Sequence, residues 1–265
     1  MTPRRLSPKM LPKIWGSPSL DPFFPNPTAE KIGEVWFEQV PDPPLLVKFV
    51  FTSGKLSVQV HPPDHYARLH ENSPGKTEMW HVVAAQPGAQ IAAGFRQEVS
   101  EERLREAAQS GEILDLLSWH EARPGDTYFL PAGTVHAIGE GLVLCEIQQY
   151  SDITYRLYDY GRPRELHLEH ALRVSHRGPH TALQPAREGV LVSCPYFTTE
   201  KLRVNGSLRH TPARAELWIV LQGSGQIAGQ PTRPGEVWHV PASATFDLTG
   251  DLSLLRCQGP QGAES

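Results

Sequence analysis

The chain has 265 residues, enough for one large or two small domains around a buried core. Its 39% apolar and 20% charged residues are ordinary for a globular protein, and a net charge of -4 without a basic stripe argues against nucleic acid. No apolar run approaches the roughly 20 residues that span a bilayer. Met1-Thr-Pro-Arg-Arg-Leu6 lacks a following apolar segment, and Cys145, Cys194 and Cys257 are odd in number and widely spaced. A cytoplasmic protein with reduced thiols and no signal peptide is therefore expected.

The 25 prolines and 22 glycines favour many short strands over long helices. Residues 1–44 are proline-rich and read as an arm packing over something else. From residue 45 the pattern turns to strands, with 45–51 and 55–61 expected as a pair around Thr52-Ser53-Gly54. Further strands are expected at 77–84, 89–94, 126–130, 142–149 and 153–158. One helical segment interrupts them. Ser100 is its N-cap, Glu101 and Glu102 fill its first turn, and Val99 and Leu104 form a hydrophobic staple. Gly111 ends it, and a second short helix starts at Ile113.

Two sequence patterns recur. Glu78-Met-Trp80-His-Val-Val83 returns as Glu216-Leu-Trp218-Ile-Val-Leu221, and Gly125-Asp-Thr-Tyr-Phe-Leu-Pro131 returns as Gly235-Glu-Val-Trp-His-Val-Pro241. The chain thus reads as two copies of one β-unit, the first lengthened by a helical insertion near 99–119. The expected fold is mainly β: two jelly-roll-like barrels, the second degenerate. The domains are then 1–44 as the arm, 45–185 as the first unit and 186–265 as the degenerate second. Phe246 stands in the second copy where the first has His136.

Strand alternation places Leu56, Val58 and Val60 on one face and Ser57, Gln59 and His61 on the other. By the same rule Lys76, Glu78 and Trp80 share a face. In Gly125-x5-Pro131-x-Gly133-x2-His136 the glycines and proline shape a turn that delivers a histidine. Each segment alone fits a surface strand. Together they match the two cupin motifs, with Gln59-x-His61 in place of the usual His-x-His, and bring Gln59, His61, Glu78 and His136 to one point. Two imidazoles, a carboxylate and an amide oxygen suit a divalent metal with an open position, zinc or non-haem iron alike. A second site built from His210 and His239 is not expected.

The chain resembles the short, bacterial-type mannose-6-phosphate isomerases (phosphomannose isomerases). The likeness is carried in order by Pro12-Lys-Ile-Trp-Gly16, Ile32-Gly-Glu-Val-Trp36, Leu56-Ser-Val-Gln-Val-His-Pro62, Gly75-Lys-Thr-Glu-Met-Trp80, Pro131-Ala-Gly-Thr-Val-His-Ala137, Glu146-Ile-Gln-Gln149 and Ser151-Asp-Ile-Thr-Tyr-Arg156. It implies one Zn2+ per chain on His61, Glu78 and His136, with Gln59 as a further ligand. It also implies Arg156 as the catalytic arginine, Lys76 and Ser57 facing inward as a candidate catalytic group and a candidate substrate contact, and Arg162 as a candidate for the substrate phosphate. The reaction implied interconverts mannose 6-phosphate and fructose 6-phosphate by proton transfer between C1 and C2. The partner is a small sugar phosphate, and monomer and homodimer both stay open. Another metal cupin enzyme, an iron dioxygenase or sugar epimerase, and a non-catalytic sugar-phosphate-binding cupin are the competing readings.

Overall fold

The computed structural model describes residues 2–28 and 30–260. The chain divides into two compact units, one of Met1–Lys13, Ser17–Phe49 and Ala186–Ser265 and the other of Ile14–Gly16 and Val50–Pro185. Both are mainly β.

The second of these units holds two groups of strands. A five-stranded sheet runs in the order Tyr155–Tyr158, Val58–Val60, His136–Ile138, Gln90–Phe95 and Leu117–Glu121. The other group runs Leu183–Gln184, Thr127–Leu130, Glu78–Ala85 and Leu142–Gln149. Trp80, Val82, Tyr128, Leu130 and Leu144 from one group meet Ile91, Ala93 and Ile138 from the other in a shared core. The outer face of the five-stranded sheet, carrying Val58, Val60, Ala92 and Ala137, is covered by helical residues Leu104, Ala107, Ala108, Ala171 and Leu172. Among the described residues no sheet closes into a barrel. The layers are open and packed face to face, the double-sheet way in which jelly rolls bury their interior.

Most expected elements form, with informative exceptions. Strand Leu45–Phe51 and helix Glu101–Ser110 are present, the latter capped by Ser100 Oγ accepting from Arg103 N and ended by Gly111 at φ 88°. The segment expected as a strand over 55–61 is regular only at Val58–Val60. It pairs with Tyr155–Tyr158 and His136–Ile138 instead of forming a hairpin with Leu45–Phe51. Because regular pairing starts so late, Leu56 escapes the alternation and enters the inner core while Val58 and Val60 face the helices. Residues 1–44 contain strands Arg4–Arg5, Pro8–Ser17 and Ile32–Phe37. Two further helices, Asp64–Glu71 and Leu168–Val174, were not expected.

In the other unit the strand order is Arg4–Arg5, Val237–Val240, Glu216–Ile227, Phe246–Gln258, Thr198–His210 and Gly189–Ser193, with Gln230–Thr232 beside Glu216–Ile227. Its core gathers Trp218, Val220, Trp238, Leu248 and Leu254. The sequence repeat is a repeat of hydrogen bonds as well. Gly125 N donates to Val82 O and Val82 N to Asp126 O, just as Gly235 N donates to Val220 O and Val220 N to Glu236 O. Gly125 and Gly235 both adopt positive φ, 96° and 88°, the conformation this turn demands and other residues resist. Trp80 meets the ring of His136 edge-on at 5.2 Å, and Trp218 meets Phe246 edge-on at 5.7 Å. Phe246 fills the place of a histidine with an apolar ring.

Candidate metal centre

Three strands of the Val50–Pro185 unit converge on one point. His61 follows Val58–Val60, Glu78 opens Glu78–Ala85, and His136 opens His136–Ile138 directly after the Pro131–Gly133 turn. One ligand atom from each of the three lies within 4.8 Å of the others. All three are buried, at 2%, 1% and 1% exposure, which solvated side chains would not be.

Hydrogen bonds fix the imidazoles. His61 Nδ1 lies 2.7 Å from Ile153 O and His136 Nδ1 lies 2.9 Å from Thr134 O. A carbonyl only accepts, so each ring carries its proton on Nδ1 and turns the Nε2 lone pair inward. Both Nε2 atoms stand 3.5 Å from Glu78 Oε1. Tetrahedral ligands held at about 2.1 Å from an ion stand about 3.4 Å apart. The carbonyl partners are the outer support that metal-bound histidines ordinarily have.

Protonation states leave all three groups ready to ligate. Burial, then the charge of Lys76, lowers the His61 imidazole from 6.5 to about 3, and burial lowers His136 as well. Both rings are thus neutral and able to ligate at neutral pH. Burial alone would raise the Glu78 carboxyl, but the charge of Lys76 holds it well below 4.5, so it is ionised. Lys76 Nζ lies 2.8 Å from Glu78 Oε2, yet neither Glu78 oxygen accepts a well-directed hydrogen bond. A buried carboxylate with coordination to spare fits a metal ligand.

The remaining expected site residues fall into two groups. Gln59 sits directly across from His136 on one side and Arg156 on the other, so the three share a row on the inner face of the sheet. Gln59 Nε2 is 3.3 Å from His136 Nε2, and Ser57 Oγ donates to Gln59 Oε1 at 3.1 Å. Lys76 is 4% exposed, with Nζ 3.1 Å from His61 Nε2. Arg156 is partly buried, its Nε has no hydrogen-bond partner, and burial followed by Arg164 lowers its guanidinium from the ordinary value. Arg162 stands apart. Its guanidinium donates to Asp159 and to Lys55 O, and lies over the Tyr160 ring, none of which belongs to the ligand group.

One acidic residue joins this group that the sequence patterns leave unassigned. Glu146 is 4% exposed and 3.3 Å from Lys76 Nζ, placed inward by its register opposite Trp80. The signal available was a charged residue inside the apolar run Leu142–Ile147.

The other unit has a counterpart of Glu78 in Glu216, fully buried. Its Oε2 is 2.9 Å from His210 Nε2 and accepts from Trp218 Nε1 at 2.7 Å, while Oε1 accepts from Gln258 Nε2 at 2.8 Å. His239 instead contacts Asp42 O at 2.8 Å. Among the described residues only His61, Glu78 and His136 form a group able to hold a metal.

No family model matches the chain. It is 40% identical over 231 residues to the mannose-6-phosphate isomerase of Streptococcus mutans, covering 80% of this chain and 73% of that protein. Against a mannose-6-phosphate isomerase of Bacillus subtilis it is 39% identical over 228 residues, 78% of this chain and 72% of that protein. The crystal structure of the mannose 6-phosphate isomerase from Bacillus subtilis has a TM-score of 0.87 to it, at 29% identity, over 97% of this chain and 100% of that one. No helix of the described residues is long and apolar enough to cross a membrane. Sequence likeness along most of its length, a shared cupin-like β architecture and a buried histidine–glutamate–histidine group agree: the chain belongs to the mannose-6-phosphate isomerase family.

Proposed function

We propose that the protein is a zinc-dependent aldose–ketose isomerase interconverting mannose 6-phosphate and fructose 6-phosphate. The observation carrying this is the convergence of His61, Glu78 and His136 with Lys76 beside them, in a chain of this family. Zinc suits the donor set of two imidazoles and one carboxylate, one ion per chain.

Gln59 is the fourth ligand in this proposal. With His136 Nε2 engaged by metal, the amide of Gln59 loses that acceptor. Turning over would aim Oε1 at the ion and let Nε2 donate to Ser57 Oγ, already 3.1 Å from the amide.

Bound metal supplies Lewis acidity at the sugar oxygens, which makes the neighbouring carbon more acidic. Arg156, a permanent cation on the same row as Gln59 and His136, would stabilise the negative charge of an enediolate-type intermediate. Lys76 and Glu146 are the ionisable pair outside the ligand set, 3.3 Å apart, and carry the proton between C1 and C2. Arg162 and Ser57 stay assigned to substrate contacts.

The same proposal treats residues 45–185 as the catalytic cupin unit, 1–44 as an arm and 186–265 as a degenerate cupin-like unit, the two units being jelly-roll variants. It places a monomer or homodimer in the cytoplasm, in keeping with Cys145, Cys194 and Cys257 as free thiols.

The test is metal analysis of the purified protein with a coupled assay on mannose 6-phosphate. Zinc near one equivalent with turnover supports the proposal. Iron with oxygen uptake and no isomerisation replaces it by an oxygenase, and sugar-phosphate binding without turnover by a binding module.

A further inference from the structure

Lys76 and Glu78 flank a residue whose backbone is held from both sides by one glutamine. Thr77 N donates to Gln149 Oε1 at 2.8 Å, and Gln149 N donates to Thr77 O at 3.1 Å. The rest of the Gln149 amide is used too. Its Nε2 donates to Asp64 Oδ1 at 2.9 Å, and the same oxygen accepts from Gly75 N at 2.8 Å. Lys76 N completes the frame by donating to Pro62 O at 3.0 Å. Gly75 is pressed so tightly against this corner that a Cβ there would lie 2.5 Å from Asp64 N and 2.7 Å from Pro63 C. The Thr77 side chain continues the frame, since its Oγ1 accepts from Ala132 N at 3.1 Å in the turn that delivers His136.

This frame stands where regular pairing gives out. The ladder between Leu142–Gln149 and Glu78–Ala85 ends at Gln148 opposite Glu78. Lys76 lies beyond it, and a backbone beyond a ladder is ordinarily free to fray. A buried side-chain amide bonded to backbone replaces the missing rungs, and Gln149 is only 8% exposed.

We propose that Gln149, anchored by Asp64, is a positioning residue for the reaction: it holds Thr77 so that the Lys76 ammonium stays between Glu78 and Glu146. The inference rests on the isomerase function proposed above. A catalytic group displaced by about 1 Å can lose about 10²-fold in rate.

Gln149→Leu keeps the bulk and removes both amide bonds. The expected result is a loss in kcat of about 10²-fold with little change in KM and zinc retained. Lys76 in the folded protein should also be acetylated faster by acetic anhydride, read by mass spectrometry. Gln149→Glu alone sets two carboxylates face to face and should behave likewise. Combining it with Asp64→Asn removes one carboxylate and lets the new amide donate to the other, but its NH2 then replaces the oxygen that accepted from Gly75 N, so kcat and the protection of Lys76 should recover in part. In a Lys76→Ala background, Gln149→Leu should add little further loss.

Wild-type kcat together with wild-type Lys76 labelling in Gln149→Leu overturns the inference. So does an undiminished loss in the Lys76→Ala background, because the glutamine would then act elsewhere. Should Gln149→Leu fail to fold, Gln149→Glu with and without Asp64→Asn makes the same comparison. Wild-type protein that turns over no sugar phosphate sinks the functional proposal instead, and Lys76 labelling still decides whether Gln149 holds the lysine.

Discussion

Lys76 Nζ stands 3.1 Å from Nε2 of His61, the ring nitrogen aimed at Glu78. An ammonium and a metal cation so close repel each other strongly in a buried site. Lys76 also balances the charge of Glu78 when no metal is bound. Both effects act against metal binding. Lys76→Met should therefore bind zinc more tightly, by at least about tenfold, while losing isomerase turnover. Competition with a chelator of known affinity measures the first, and the coupled assay the second.

His136 and Arg156 share a row but should fail differently. His136→Ala removes a ligand, so zinc and turnover should disappear together. Arg156→Ala should keep its zinc and lose about 10²- to 10³-fold in kcat, the range for removing one stabiliser of developing charge. Metal content measured beside kcat separates the two, and a wild-type rate in Arg156→Ala would remove that residue from the mechanism.

Asp159 gives a pH-dependent test away from the metal ligands. It is 2% exposed. Burial alone would raise its carboxyl, but hydrogen bonds from Arg164 and Arg162 outweigh burial and hold it below 3.8. The folded protein therefore keeps Asp159 ionised where the unfolded chain takes up a proton. Its contribution is full above about 3.8 and is lost as pH falls through the lower folded value. Asp159→Asn should cost about 1.5–3 kcal/mol near neutral pH, because it weakens the charge-assisted hydrogen bonds from two half-buried arginines. It should also flatten the acid limb of the stability profile, which denaturant unfolding across pH can read.

Glu216 tests the structural role of the unit without ligands. Its two oxygens take contacts from His210, Trp218 and Gln258. In Glu216→Gln the oxygen must stay toward Trp218 Nε1, so the NH2 turns to Gln258, whose amide has to turn over, and every bond loses the carboxylate charge. A loss of about 1–3 kcal/mol in stability should follow, with kcat and zinc content unchanged. A changed kcat in folded protein would place that unit in the chemistry.

The ligand group was legible because strand alternation and one turn fix it locally. Lys76, Glu78 and Trp80 face inward as period-two spacing requires, and Gly125 to His136 forms the turn its glycines and proline encode. The ends of the Glu101–Ser110 helix were equally legible, since Ser100 and Gly111 each act through their own backbone. What depended on distant partners was not. Helix Asp64–Glu71 buries only Ala67, too little to leave an apolar stripe in the sequence. Val58–Val60 alternates as expected, but nothing within it names Tyr155–Tyr158 as its neighbour. Glu146 looked like one polar residue in an apolar run until the register set it beside Lys76. Closed barrels were expected from the motifs, yet closure belongs to how sheet edges meet, and motifs do not encode edges.

The saturated carboxylate of the second unit has a practical side for protein engineering. Replacing Phe246 by histidine would copy the first unit's ligand pattern on paper without creating a second metal centre. An incoming ion would have to strip Glu216 of three donors and then satisfy an indole N–H left buried beside it. Converting the scaffold to a two-metal protein starts with Trp218 and Gln258, and only then with the histidine.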